Sequence, residues 1–248
     1  SIVSMRRLLV QANRVEKVTL LAMVAATAMV FAFVQLADEV VEGTTRAFDE
    51  RLLLMLRSQT DRADPIGPQW LEDAMRDITA LGGASVLTLV VLVVAGFLAM
   101  IRRRQSAAVM VLAILTGVLL GSLMKIGFAR PRPDLVPHGT RVASASFPSG
   151  HATLSAVVYL TLGALLCRTQ SLRSTKIYIL TVAAFLTLIV GLSRVYLGVH
   201  WPTDVIAGWL LGTSWALVCW MAMLWLQSQS RVEPEGDSSQ TPTSDHPR

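Results

Sequence analysis

The chain has 248 residues, 53% of them hydrophobic and only 16% charged, and its mean hydropathy is +0.53. A soluble domain of this length carries closer to about 25% charged residues, so a water-surrounded globular fold is not expected. The net charge of +5 does not indicate a nucleic-acid partner, because the basic residues gather beside long apolar runs, which is a membrane-topology pattern. In chain order, Arg6, Arg7, Arg14 and Lys17 fill a short N-terminal segment, residues 1–17. A helix crosses a bilayer in roughly 20 apolar residues, and six such runs are read at 18–36, 84–101, 107–128, 151–167, 177–197 and 204–226. The first run is long for the apolar core of a cleavable signal, and no small-x-small site precedes Asp38.

Residues 37–83 are acid-rich and hold two amphipathic pieces. Phe48, Leu52, Leu53 and Leu56 recur at helical spacing, as do Trp70, Leu71, Ala74, Met75, Ile78 and Leu81. Asp64-Pro65-Ile66-Gly67-Pro68 breaks the chain between them. These helices are expected either along the outer membrane boundary or as a cap packed on the bundle. Arg102, Arg103 and Arg104 separate the second and third runs, and Arg168, Arg173 and Lys176 separate the fourth and fifth. That bias places both termini in the cytoplasm and loops 37–83, 129–150 and 198–203 outside. Loop 129–150 breaks the bias with Arg130, Arg132 and Arg141, which calls for a functional reason. Gly117 and Gly121 form a GxxxG spacing that permits close helix contact within the chain, with a homodimer seam as the alternative. Cys167 and Cys219 lie in or at the ends of runs and imply no disulfide framework. The Ser-, Pro- and acid-rich tail, 227–248, is expected to be disordered. The fold class is therefore all-α: a polytopic membrane domain over 18–226, with six transmembrane helices and an outer-face amphipathic segment.

The chemistry lies in three clusters at the outer ends of these runs. Lys125 closes the third run, Arg132 follows seven residues later in a Pro-rich turn, and Arg194 closes the fifth. Charged groups this close to a span are costly and invite a functional explanation. Three cations brought together repel unless they share an anion, and a guanidinium fork matches phosphate oxygens. Taken singly, each is better explained as a snorkelling side chain at the headgroup level. Pro148-Ser149-Gly150-His151 opens the fourth run. The first amides of a helix favour an anion, Gly150 permits close backbone approach, Ser149 adds a hydroxyl, and His151 can donate a proton to a leaving oxygen. His200 and Asp204, four apart around Trp201-Pro202-Thr203, share one face if that turn is helical. An acid behind a histidine orients it and stabilises its positive charge; a structural His–Asp cap is the other interpretation. No His, Cys or carboxylate set has metal-site spacing, so no metal and no other cofactor is expected.

Taken together, Lys125-x6-Arg132-Pro133, Pro148-Ser149-Gly150-His151 and Ser193-Arg194-x5-His200-x3-Asp204 resemble the three-part signature of the type 2 phosphatidic acid phosphatase superfamily. The resemblance implies that His200 is a nucleophile forming a phosphohistidine, that Asp204 orients it, and that His151 protonates the leaving group and then activates water. It implies a phosphate clamp of Lys125, Arg132 and Arg194, with Ser149 and the Gly150 amide as further donors. Arg130-Pro131 repeats the Arg-Pro dipeptide two residues early; family spacing selects Arg132 and leaves Arg130 as a helper. Asp134 and His138 are expected to be solvated loop residues. The implied activity is hydrolysis, at the outer face of a bacterial inner membrane, of a lipid phosphate or pyrophosphate such as undecaprenyl pyrophosphate, phosphatidylglycerol phosphate or phosphatidate; three cations and the helix-end amides in place of metal ions predict that it is metal-independent. Transfer of the same phosphoryl group to another hydroxyl is the alternative, and a non-catalytic lipid carrier would not need the paired histidines.

Overall fold

The computed structural model describes residues 2–138 and 145–229. Arg141 and the tail from residue 230 lie outside the described residues. The chain forms eight helices among the described residues: α1 (Ile2–Glu42), α2 (Arg46–Met55), α3 (Gln69–Ala80), α4 (Ala84–Met100), α5 (Arg104–Phe128), α6 (Gly150–Cys167), α7 (Arg173–Tyr196) and α8 (Pro202–Ser228). The only strand-like pairing among the described residues is an isolated bridge between Arg57 and Pro65. The protein is all-helical, as expected.

Five stretches are long and apolar enough to cross a membrane: Glu16–Glu42 of α1, and α5, α6, α7 and α8. The sixth candidate is the α3–α4 pair, bent by 50° at a short break. With 17 residues, α4 by itself is about 26 Å long, near the lower limit for a span. Two ends differ from the sequence expectation. Helix α1 continues past residue 36 to Glu42, because no Gly or Pro interrupts it before Gly43. There the chain turns at φ +79°, and Thr44 N–H donates back to Glu39 O at 3.1 Å, the ending that glycine permits. Helix α8 likewise runs two residues into the segment expected to be tail.

The bundle is centred on α6, which packs against α8, α7, α5 and α4. In lipid no hydrophobic force drives helices together, so association depends on close van der Waals approach over small residues. The α6–α8 contact shows this directly. A Cβ on Gly212 would stand 2.6 Å from both Thr153 O and Ala156 Cβ, and one on Gly208 would stand 2.8 Å from Ser149 O. The GxxxG spacing singled out in the sequence is also used within the chain: a Cβ on Gly117 would meet Trp215 and Val157 side chains at 2.8 Å. Trp215 Nε1 donates to Ala113 O at 2.8 Å and ties α8 to α5. Outward-facing Leu20, Leu21, Phe31, Leu112, Leu119 and Phe185 are exposed, which suits a hydrocarbon surround.

The segment 37–83 packs on the bundle. Leu53 of α2 is fully buried beside Val136, Val195, Trp201 and Val205, and Leu71 and Met75 of α3 lie against Tyr196, Leu197 and Val199. Arg57 Nη2 donates to Tyr196 O, and Tyr196 Oη donates to Ile66 O, both at 2.8 Å. These contacts are those of the cap; Phe48, Met55 and Trp70 nevertheless remain exposed.

If the α6–α8 approach holds the bundle together, Gly212→Ala, whose methyl would meet backbone as well as side chain, lowers thermal stability in detergent by about 1–3 kcal/mol. Gly96→Ala, with nothing within 4 Å of the new methyl, is neutral or slightly stabilising. Equal melting temperatures for the two variants would contradict this account.

Candidate active site

The C-terminal ends of α5 and α7 and the N-terminal ends of α6 and α8 meet at one end of the bundle, and Lys125, Arg132, Ser149, Gly150, His151, Arg194, His200 and Asp204 lie at this junction. The central contact is between backbones: Ser149 N–H donates to Asp204 O at 2.9 Å, joining the start of α6 to the first turn of α8. Pro202 occupies the first turn of α8, where its missing N–H costs nothing. Asp204 reaches back to accept the Trp201 N–H at 2.9 Å, which fixes the carboxylate against the residue that follows His200.

His200 is 1% exposed. Its Nε2 stands 3.2 Å from Arg132 Nη1, and its Nδ1 stands 3.3 Å from Ser146 Oγ and 3.4 Å from Asp204 Oδ2. A guanidinium is donor-only, so Nε2 must accept, and the ring proton belongs on Nδ1 facing Ser146 and Asp204. Burial pushes the His200 pKa down to about 4, against the opposing hydrogen bond and charge of Asp204. The ring is therefore neutral at ordinary pH, with its Nε2 lone pair on the cationic side. Arg132 also donates Nη1 to Val199 O at 2.8 Å. Burial draws its guanidinium below its usual range while Asp204 pulls the other way, but an arginine keeps its charge through any such shift.

Lys125, in the last turn of α5, donates Nζ to Ala145 O at 3.1 Å. A Cβ on Gly150 would stand 3.3 Å from Lys125 Cε and 3.5 Å from Nζ, so glycine keeps the α6 start open beside that ammonium. Arg194 is 4% exposed and donates Nη1 to Thr79 Oγ1 at 3.0 Å. His151 is half-buried, and Arg194, His200, Lys125 and Arg132 all lie close enough to act on its charge. Gly82, at the α3–α4 bend, packs on it: a Cβ there would be 3.3 Å from His151 Cβ and Cδ2. Ser149 caps α6, is fully buried, and its Oγ has no hydrogen-bond partner among the described residues. A buried orphan hydroxyl costs about 1–3 kcal/mol, a penalty relieved when a bound anion accepts from it.

The sequence reading underweighted several residues here. Ser146, fully buried, donates Oγ to Asp204 Oδ2 and sits between that carboxylate and His200. Arg130, assigned above as a helper, donates Nη1 to Asp204 Oδ1 at 2.7 Å and Nη2 to Asp49 Oδ2 at 2.8 Å. Asp49 comes from α2, in the segment between α1 and α4, and is fully buried. Ser146 stands just ahead of the Pro148-Ser149-Gly150-His151 motif, so its proximity was a usable signal. Asp49 offered none: on an amphipathic helix it looks like one of many solvated acids. Asp134 and His138 are exposed, as expected, with His138 Nε2 2.7 Å from Pro133 O within its own loop. Among the described residues no three His, Cys, Asp or Glu side chains converge as a metal-binding group.

The chain is similar to known proteins in sequence and in fold. The family model described as the PAP2 superfamily matches residues 106–228. Phosphatidylglycerophosphatase B of Bacillus subtilis is 35% identical over 144 residues, covering 58% of this chain and 70% of that protein. An undecaprenyl-diphosphatase of Sulfolobus acidocaldarius is 32% identical over 134 residues, covering 52% of this chain and 58% of that protein. The crystal structure of a transmembrane PAP2-type phosphatidylglycerolphosphate phosphatase from Bacillus subtilis matches with a TM-score of 0.69 at 29% identity, covering 78% of this chain and 93% of that one. Motif order, helix layout and these likenesses coincide, and the chain belongs to the PAP2 superfamily.

Proposed function

We propose that this protein is a membrane phosphatase that hydrolyses a lipid phosphate or pyrophosphate through a phosphohistidine on His200, without a metal ion. The observation that carries this reading is His200 itself: a buried, neutral ring whose Nε2 faces Arg132 while Nδ1 faces Ser146 and Asp204. A nucleophile attacking an anionic phosphoryl group needs its lone pair free, its positive charge stabilised as it forms, and the phosphate oxygens neutralised. Lys125, Arg132, Arg194, Ser149 and the first α6 amides supply the last of these from fixed positions.

The steps balance as follows. The incoming phosphate takes over the Arg132 guanidinium, and Nε2 attacks phosphorus. The Nε2–P bond forms as the bond from phosphorus to the lipid oxygen breaks, and that oxygen receives the proton that His151 takes up from solvent when the bound anion offsets the cations around it. His151, now neutral, takes a proton from water. The resulting hydroxide adds to phosphorus, the P–N bond breaks, and inorganic phosphate leaves with His200 restored. Asp204 holds the Nδ1 proton throughout and offsets the ring's transient positive charge. The fixed cations serve where divalent ions serve elsewhere, which supports metal-independent turnover.

The relatives' names specify a phosphatidylglycerophosphate in one case and an undecaprenyl diphosphate in the other. What those substrates share is a phosphoryl group on a lipid, and that shared head is what the site is built to hold. Basic Arg102, Arg103, Arg104, Arg168, Arg173 and Lys176 lie at the opposite helix ends. This supports an active site on the outer membrane face with both termini in the cytoplasm.

Phosphate release from phosphatidate and from an isoprenyl diphosphate tests the reading. His200→Ala is expected to abolish release from whichever substrate the parent cleaves, by a factor of about 10³ or more, and EDTA is expected to leave the parent rate unchanged. Substantial hydrolysis by the variant removes His200 from its role, and loss on chelation with recovery on adding magnesium refutes metal independence. The tautomer is checked by nitrogen NMR of histidine-labelled protein, with His200 identified by difference. At pH 6 its ring is expected neutral and protonated on Nδ1, gaining a second proton only as pH falls through about 4. A charged ring at pH 6 would contradict the assignment.

A further inference from the structure

Asp49 belongs to none of the sequence motifs, yet it sits one side chain away from the catalytic dyad. Arg130 is clamped between two buried carboxylates, with Nη1 on Asp204 Oδ1 at 2.7 Å and Nη2 on Asp49 Oδ2 at 2.8 Å. Asp49 also accepts from the Thr203 backbone N–H through Oδ1 at 2.9 Å and from the Thr203 hydroxyl through Oδ2 at 2.7 Å. That hydroxyl in turn accepts from Arg130 Nη1 at 2.9 Å. Both acids are fully buried, and the Arg130 side chain is 13% exposed, with its guanidinium carbon 5.7 Å from the centre of the Trp201 ring.

Two consequences follow from elementary electrostatics. If Arg130 paired with Asp204 alone, the pair would be neutral, and Asp204 could do little for a positive charge on His200. A second carboxylate on the other arm of the fork leaves the Asp49–Arg130–Asp204 trio with a net charge of −1 beside the ring. The negative charge then remains available when Nε2 bonds to phosphorus and the imidazole becomes cationic. The hydrogen bond to Thr203 N–H also fixes the first turn of α8, which carries Asp204, to a helix remote in sequence. A carboxylate at a helix N-terminus is favourably placed for this.

We propose that Asp49 is a positioning residue for the reaction: acting through Arg130, it keeps Asp204 oriented and electrostatically available to His200. The outer segment thereby contributes to catalysis as well as covering the bundle. This rests on His200 being the nucleophile. Orthovanadate, which adopts the five-coordinate geometry of the transferring phosphoryl group and bonds to a nucleophile, reports transition-state stabilisation, whereas inorganic phosphate reports anion binding alone.

The test uses the full chain in detergent or nanodiscs with phosphatidate as the assayed substrate, or the isoprenyl diphosphate if the parent cleaves only that. Asp49→Asn is expected to lower kcat about tenfold or more, less than loss of an orienting acid in direct contact with the histidine, with KM within about twofold. Vanadate inhibition is expected to weaken about tenfold while phosphate inhibition stays within about twofold. Asp49→Glu is expected to recover part of kcat. A parental kcat in Asp49→Asn, or equal weakening of vanadate and phosphate, overturns the proposal, the latter pointing to a merely structural ion pair. Should Asp49→Asn fail to fold, Arg130→Lys decides, since a single ammonium lacks the fork that bridges both carboxylates; unchanged vanadate affinity there is equally fatal. His200→Ala run alongside separates the two readings: hydrolysis by that variant defeats the phosphohistidine mechanism, whereas a parental kcat in Asp49→Asn with an inactive His200→Ala defeats only the role of Asp49.

Discussion

The crossing of α6 and α8 is the constraint on which the rest of the molecule depends. Where Ser149 N–H meets Asp204 O at 2.9 Å, two motifs about fifty residues apart become one site. That approach is possible only because Gly208 and Gly212 present no Cβ to the backbone and side chains of α6. In a hydrocarbon medium helices gain little from burying apolar side chains against each other, and close contact over small residues supplies the attraction instead. The same choice of residues that holds the bundle together thus sets the distance between the start of α6 and the histidine before α8.

Around that crossing the charge is arranged asymmetrically. Lys125, Arg132 and Arg194 converge on the His151 and His200 side, whereas Asp49 and Asp204 are held behind His200 by Arg130. Uncompensated, cations this close would destabilise the fold, since each is desolvated near a low-dielectric surround. Their grouping suits a ligand that carries several negative oxygens in a small volume. The carboxylates sit on the far side of the imidazole from Arg132, where they can support a cationic ring without pairing with Lys125, Arg132 or Arg194. The α2–α3 segment takes part in both halves: Thr79 of α3 holds Arg194, and Asp49 of α2 holds Arg130.

Much of this was legible from the chain alone. Long apolar runs located the helices, since nothing but a helix satisfies its own backbone in a bilayer. Fixed spacings brought out Lys125, Arg132, Ser149, Gly150, His151, Arg194, His200 and Asp204, and the structure brings all eight to one end of the bundle. Spacing works for these residues because each cluster lies within a helix end or tight turn, where separation in sequence determines separation in space. It failed for Asp49, Ser146 and Arg130, whose importance comes from contacts between segments. It also singled out Gly117 and Gly121 but passed over Gly208 and Gly212, which have the same spacing and lie closer to the catalytic residues.

The sequence by itself determined the helical class, the membrane setting, and which residue types could handle phosphate, because these follow from local hydropathy and from chemistry carried on short stretches. Only the tertiary structure decided how those stretches serve one another. It showed that α2 and α3 pack on the bundle, that Arg130 is shared between two carboxylates, and that His200 keeps its Nε2 as an acceptor. Those outcomes depend on which buried donor meets which buried acceptor across distant helices, and a satisfied pair of that kind leaves no periodic trace in the chain.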